Sequence, residues 1–359
     1  TNNTSGASNT GLGFAALGDT TTGSFNTGIG TSSLENNTTA SFNTAVGYQA
    51  LYTNTTGSEN VALGRLALNQ ATTASYNTGI GTNALQDNTT GAQNTAVGRS
   101  ALTNNTTASQ NTALGYQAAY TNTTTDRHTA IGYQALYANS SGIRNTAIGW
   151  SALKDNTSGD RCVAVGEQTL LKNTTGNDNT GLGEGALANN TTGGTNTAVG
   201  SSALILNTTG SNNTAVGYQA AKSNTTGANN TAFGQWSLYD NTTGGANVAL
   251  GRSALENNTT ASQNTAVGYQ SMFVNTSGAE SVAVGYEALY SNTTAHTNHA
   301  FGYRALKANT TGSANVGVGH NALTANTTAS YNTAVGHEAS LSNTTGTENT
   351  SIGQGALRT

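Results

Sequence analysis

A 17-residue period governs this chain. The stretch from Asn43 to Glu59, NTAVGYQALYTNTTGSE, recurs in 21 copies starting at residue 9, with no insertion or deletion between them. An ordinary globular core gives every segment a different environment, so a fixed period of this kind points instead to a solenoid of stacked coils. Residues 1–359 are therefore expected to form a single repeat domain. The chain begins at Thr1 in the tenth column of the repeat and stops at Thr359 in the eleventh, and is expected to be a section of a longer fibre or a subunit whose ends stack on the next.

The columns, numbered from the Asn of NTAVG, predict a coil. Column 4 is always a large apolar residue, from Leu12 and Ile29 to Val335 and Ile352, and column 5 is glycine in all 21 copies. Column 2 is Thr or Val except at His299, and column 3 is small. Alternation followed by an obligatory glycine reads as a short strand ending at a tight corner, with columns 2 and 4 on one face and column 3 on the other. Columns 8 and 9 give a second apolar pair, as in Ala50-Leu51 and Ala152-Leu153. A helix there would hold only two turns, too short to be stable alone, so a second strand or a bent extended segment is expected. The Asn-Thr-Thr-Gly run of columns 12 to 15 is turn chemistry. Complete absence of proline suits continuous ladders that need every N–H. The fold class that follows is all-β, a parallel β-solenoid of 21 coils, about 100 Å long at ordinary strand spacing.

With one apolar side chain at column 4 and one at column 9, each coil encloses a thin core. Such a coil gains if one of its apolar faces meets a neighbouring chain. The expected partner is a second and third copy in a homotrimer, or an end-to-end homopolymer.

Other functions find little support. The net charge is −4 and the 12 Lys and Arg are scattered, so no nucleic-acid partner is expected. No apolar run is long enough to span a bilayer, so no membrane insertion is expected. Cys162 is alone, which excludes a disulfide framework within the chain. His320 and His337 share column 6 on adjacent rungs without a carboxylate or third His, and His296 and His299 fare no better, so no metal and no other cofactor is expected. No carboxylate pair, nucleophile set or phosphate loop recurs, and no enzymatic activity is expected.

The residues that could carry function are in the variable columns. Column 6 holds Tyr48, Arg65, Arg99, Tyr116, Tyr133, Trp150, Tyr218, Arg252, Tyr269, Tyr286 and Tyr303, a line of Tyr and Arg suited to glycan or protein contact. The competing reading is that the aromatic rings stack rung on rung to stabilise the ladder. Columns 10 and 17 vary in the same way, the latter through Phe25, Phe42, Tyr76, Arg127, Arg144 and Arg161. Column 12 supplies N-x-T sequons at Asn37, Asn54, Asn88 and Asn105, sites for N-glycosylation, or else members of a hydrogen-bonded Asn ladder.

The segments NTAVGYQA (Asn43 to Ala50) and SVAVGYEA (Ser281 to Ala288) resemble the head repeats of YadA-like trimeric autotransporter adhesins, and the NTA-x-G-x-x-AL pattern is similar to bacteriophage-type tail-fibre repeats. The resemblance covers the whole chain and implies a parallel β-roll in which three chains pack together outside the cell. The repeat is longer than the usual adhesin head repeat by the NTTG corner, and no heptad stalk accompanies it. The expected role is a structural and adhesive segment of an extracellular or virion fibre, spacing and attaching surfaces through a glycan or surface-protein receptor. A self-assembling filament or sheath subunit is the alternative, and an ice-binding solenoid, suggested by the Thr columns 2, 13 and 14, is a lesser one.

Overall fold

The computed structural model describes residues 2–358; Thr1 and Thr359, the two chain ends weighed above, lie outside the described residues. Each copy of the repeat supplies one strand of three residues, from β1 (Thr10–Leu12) to β21 (Thr350–Ile352), and the described residues contain no helix. Two compact units are present. Thr1–Asp178 carries β1 to β10 (Val163–Val165), and Asn179–Thr359 carries β11 (Thr180–Leu182) to β21. Within a unit each strand pairs in parallel with the strand one repeat away, so that Thr44, Ala45 and Val46 face Val61, Ala62 and Leu63, and Thr197, Ala198 and Val199 face Thr214, Ala215 and Val216. The fold is the all-β parallel solenoid that the columns predict.

The strand is short because column 5 ends it. Gly47 has φ +139°, and a Cβ built on it would lie 2.5 Å from the carbonyl oxygen of Gly64 on the next coil. A side chain there meets both a disfavoured backbone and a backbone atom that cannot swing aside.

Columns 6 to 11 depart from expectation. They form neither a second strand nor a helix but a run of turns. Columns 7 and 9 sit in the left-handed region, as at Gln49 (φ 52°) and Leu51 (φ 49°), while column 8 does not. The N–H groups therefore point in different directions: Gln49 N donates to Thr31 O on the coil before (3.0 Å), Leu51 N to Ala67 O on the coil after (3.0 Å), and Ala50 N back to Gly47 O (3.4 Å). Backbone polarity is satisfied without a ladder of β type. A left-handed Leu costs on the order of 1 kcal/mol. Burying its side chain contributes about 1.5–3 kcal/mol and outweighs that cost.

The interior is half apolar and half polar. Its apolar half consists of columns 3, 8 and 9, where Ala45, Ala50 and Leu51 are fully buried. The polar half is built by two asparagines per coil. Asn43 and Asn54 both donate through Nδ2 to the Gly57 carbonyl at 2.9 Å, closing the coil from opposite sides. Between coils, Asn43 Oδ1 accepts the N–H of Asn60 at 2.9 Å, and Asn54 Nδ2 also donates to Asn37 Oδ1 at 2.9 Å. Buried amide nitrogens that donate both within and across coils are satisfied and lock the register.

Candidate functional site

Because the core is filled from columns 3, 8 and 9, column 4 is left outside. Leu63, Leu114, Phe233, Leu250 and Phe301 are exposed, Leu114 by 46% and Phe233 by 51%. Most of the β-branched members, such as Val46 and Ile80, are half-buried, while Val335 and Ile352 in the last coils are exposed. Of the two apolar faces predicted from the sequence, column 9 is the core and column 4 is an outer stripe, bordered by the Thr and Val of column 2.

Column 6 follows the glycine corner by one residue, and the stacking there is uneven. In the first unit Tyr116, Tyr133 and Trp150 form one stack, with centroids 5.4 and 6.2 Å apart and the Arg99 guanidinium 5.8 Å from the Tyr116 ring. In the second unit Tyr269, Tyr286, Tyr303, His320 and His337 form a continuous stack of five rings at 5.3, 5.3, 4.9 and 5.0 Å. These rings spend their faces on one another and offer mainly edges to a ligand. Tyr48 and Tyr218, each 49% exposed, have non-aromatic neighbours in their column and stand outside the stacks, as does exposed Arg65. Arg252 turns away from the stack and lies over the Trp236 ring of column 7 at 5.3 Å.

A charged cluster supports the longer stack, and only tertiary contact reveals it. Glu287 accepts from Arg304 Nε at 2.9 Å and from Lys307 Nζ at 2.6 Å, and the Arg304 guanidinium also lies 4.9 Å from the Tyr303 ring centroid. Burial pushes the Glu287 carboxyl up, but the Lys307 and Arg304 bonds more than offset this and leave it below the usual carboxylate range. In sequence these three residues are ordinary variation at columns 7 and 10, with no signal that marks them as partners.

The sequon reading is corrected. Asn37, Asn54, Asn88 and Asn105 are completely buried, and their Nδ2 groups donate to carbonyls three residues on, as Asn88 does to Gly91 O at 2.9 Å and Asn105 to Ala108 O at 3.0 Å. A glycan on any of these nitrogens would have to occupy the inside of the coil, so these Asn are the ladder. The intact mass of secreted protein made in a glycosylating host is expected to match the bare 36.1 kDa chain; a series of added hexose masses would show that the coil accepts the modification. Column 13 hydroxyls are spoken for as well, Thr55 Oγ1 donating to Thr72 O at 3.1 Å, while column 14 Thr side chains such as Thr56 and Thr73 point outward.

His320 and His337 stack with their rings nearly parallel, 8° apart, so their nitrogen lone pairs run side by side rather than converge. Exposed His296 uses Nδ1 to accept the N–H of Ala279 at 3.1 Å, and half-buried His299 lies in β18 (His299–Phe301). Cys162 and His128 take the column 1 position of Asn and are buried in the polar half of the core. No helix among the described residues is long and apolar enough to cross a membrane. No protein-family model matches the chain, and no curated protein matches it.

Proposed function

We propose that this chain is a structural segment of a fibre outside the cell, on a cell surface or a virion, in which three copies associate through the column 4 stripe and present column 6 to a surface glycan or protein. The observation that carries this reading is the stripe itself. An apolar row repeated every strand spacing, outside a core already complete without it, gains most from an identical row in the same register. Three copies, and attachment as the role, follow from the resemblance to adhesin head and tail-fibre repeats. The side chains flanking the stripe would then form the rim of an interface and remain open to a receptor.

Light scattering on the purified chain, joined to negative-stain imaging, tests it. Discrete particles of three chains are the expected result. A monomer at micromolar concentration would defeat the association, and open-ended filaments would make the protein a structural polymer instead.

A further inference from the structure

In a chain whose columns scarcely vary, three consecutive coils of the first unit break the pattern together. Where column 16 is Ser, its hydroxyl accepts a backbone N–H of the coil before, as Ser58 does from Ser41 at 3.2 Å and Ser75 from Ser58 at 3.0 Å. Asp126 and Asp160 take over that duty with one carboxylate oxygen, Asp126 Oδ1 accepting from Ser109 N at 2.6 Å and Asp160 Oδ1 from Ile143 N at 2.9 Å. The ladder is preserved. Each Asp also brings a second oxygen and a charge for which the ladder has no use.

Beside them column 17 places Arg127, Arg144 and Arg161 on successive rungs, all exposed. Like charges one strand spacing apart repel. Their guanidinium groups are unequally occupied. Arg161 holds Asp178 with two bonds, at 2.7 and 2.9 Å, and lies 3.7 Å from Asp160. Arg127 donates to Gln110 Oε1 at 3.2 Å. The Arg144 guanidinium, between them, has no hydrogen-bond or ion-pair partner among the described residues. Next to it lies a surface cavity of about 180 Å³ lined by Thr124, Thr125, Asp126, Arg127, Ile143 and Arg144.

We infer that this cavity binds a carboxylated sugar unit, with the carboxylate on Arg144 and Arg127, hydroxyls on Asp126 and Thr124, and a ring face against Ile143. The volume falls below the roughly 300–1,000 Å³ of pockets for drug-sized ligands and suits a single ring. A guanidinium with free donors is the side chain best matched to a carboxylate. Three Asp balance three Arg across the patch, so a polysulfated or polyphosphate chain meets as much repulsion as attraction. A ligand bearing one carboxylate and several hydroxyls complements both kinds of group. The site lies on columns 14 to 17 rather than on column 6; it names a glycan chemistry for the attachment role proposed above and rests on that role.

The test titrates the intact chain with galacturonate by calorimetry and saturation-transfer NMR, against galactose and sodium sulfate as controls. Two variants return the site to the chain's own repeat. Arg144→Asn keeps the left-handed backbone, since column 17 already holds Asn212 at φ 59° and Asn229 at φ 60°, and Asp126→Ser restores the column 16 hydroxyl. Saturable binding of galacturonate, stronger than that of galactose or sulfate and weakened about tenfold or more by either variant, is expected. Absence of saturable galacturonate binding, sulfate binding equally well, or variants binding as the parent does would overturn the inference. Particle mass measured on the same samples separates this from the fibre reading: a trimer indifferent to galacturonate defeats this site alone, and a monomer that binds galacturonate defeats the association alone.

Discussion

The buried Oδ1 of Asn54 has no hydrogen-bond partner among the described residues, and the cause is one rung away: Ala71 takes the column 12 position on the next coil and puts a methyl group where an amide nitrogen belongs. On the far side the Nδ2 of Asn88 donates only to Gly91 O, while its Oδ1 still accepts from Asn105 Nδ2 at 2.7 Å. Ala71→Asn is expected to complete the ladder and stabilise the first unit by about 1 kcal/mol, seen as a rise of roughly 2–4 °C in Tm; an unchanged or lowered Tm would mean that the coil cannot admit the larger side chain. His128 is the opposite case, a substitution that fits only in one protonation state. Its Nδ1 accepts the N–H of Asn145 at 3.2 Å, as an Asn Oδ1 would, while Nε2 lies 2.9 Å from Thr125 Oγ1 and 3.3 Å from Asn139 Nδ2. Burial lowers the imidazole from 6.5 to about 4, partly offset by backbone contacts and the nearby carboxylates of Asp126 and Asp160. The unfolded chain thus binds this proton more readily than the folded one. Its penalty is absent above pH 6.5, grows as pH falls, and levels off below about 4 at a loss of about 3 kcal/mol. His128→Asn is expected to remove that loss, so hydrogen exchange around Asn145 measured at pH 7 and pH 4 should differ less in the variant; equal acid sensitivity in both proteins would refute it.

At the scale of the element, the coil is one strand, one glycine corner, a run of turns and an asparagine-clamped corner. The strand and both corners were legible in the sequence, because Gly at column 5 and Asn-Thr-Thr-Gly at columns 12 to 15 each carry a conformational requirement of their own. The run of turns was not. Gln and Leu at columns 7 and 9 have no intrinsic preference for a left-handed backbone, and Leu51 adopts it only because its N–H then meets Ala67 on the next coil while its side chain enters the core. Gly47→Ala is expected to destabilise the first unit by about 1–3 kcal/mol, read as a lower denaturant midpoint with faster exchange in β3 (Thr44–Val46) and β4 (Val61–Leu63). A midpoint equal to the parent's would show that the spacing between coils can widen to admit a methyl group.

For the whole molecule, the proposed association turns on the exposed apolar stripe of column 4. Replacing Leu114 and Phe233, both exposed on the outer face, by lysine costs the isolated coil little, since neither side chain contributes to its core. The pair Leu114→Lys and Phe233→Lys is expected to convert an associated particle into single chains by light scattering, with the far-UV spectrum unchanged. An unaltered particle mass would remove the stripe as the interface. The candidate contact residues of column 6 were legible as variation on the outside of the coil, exposed except for half-buried Tyr116, but their sorting was not. That Tyr269, Tyr286 and Tyr303 use their faces on one another while Tyr48 and Tyr218 stand apart depends on which residue follows each one rung later.

The sequence alone determined the period, the parallel stack and its register, because a repeat with no insertions can superpose its columns in only one way. It also settled that column 3 faces away from column 4, which follows from the alternation of side chains along a strand, and that the obligatory glycine of column 5 makes a corner. Tertiary structure decided the rest. Both columns 4 and 9 are apolar and either could have formed the core; the left-handed turns swing column 9 inward and leave column 4 outside. Likewise, N-x-T reads the same on a surface loop as in a core. Only the closing of the coil over Asn54 and its neighbours, where each amide meets a carbonyl that water can no longer reach, made those residues the inner ladder.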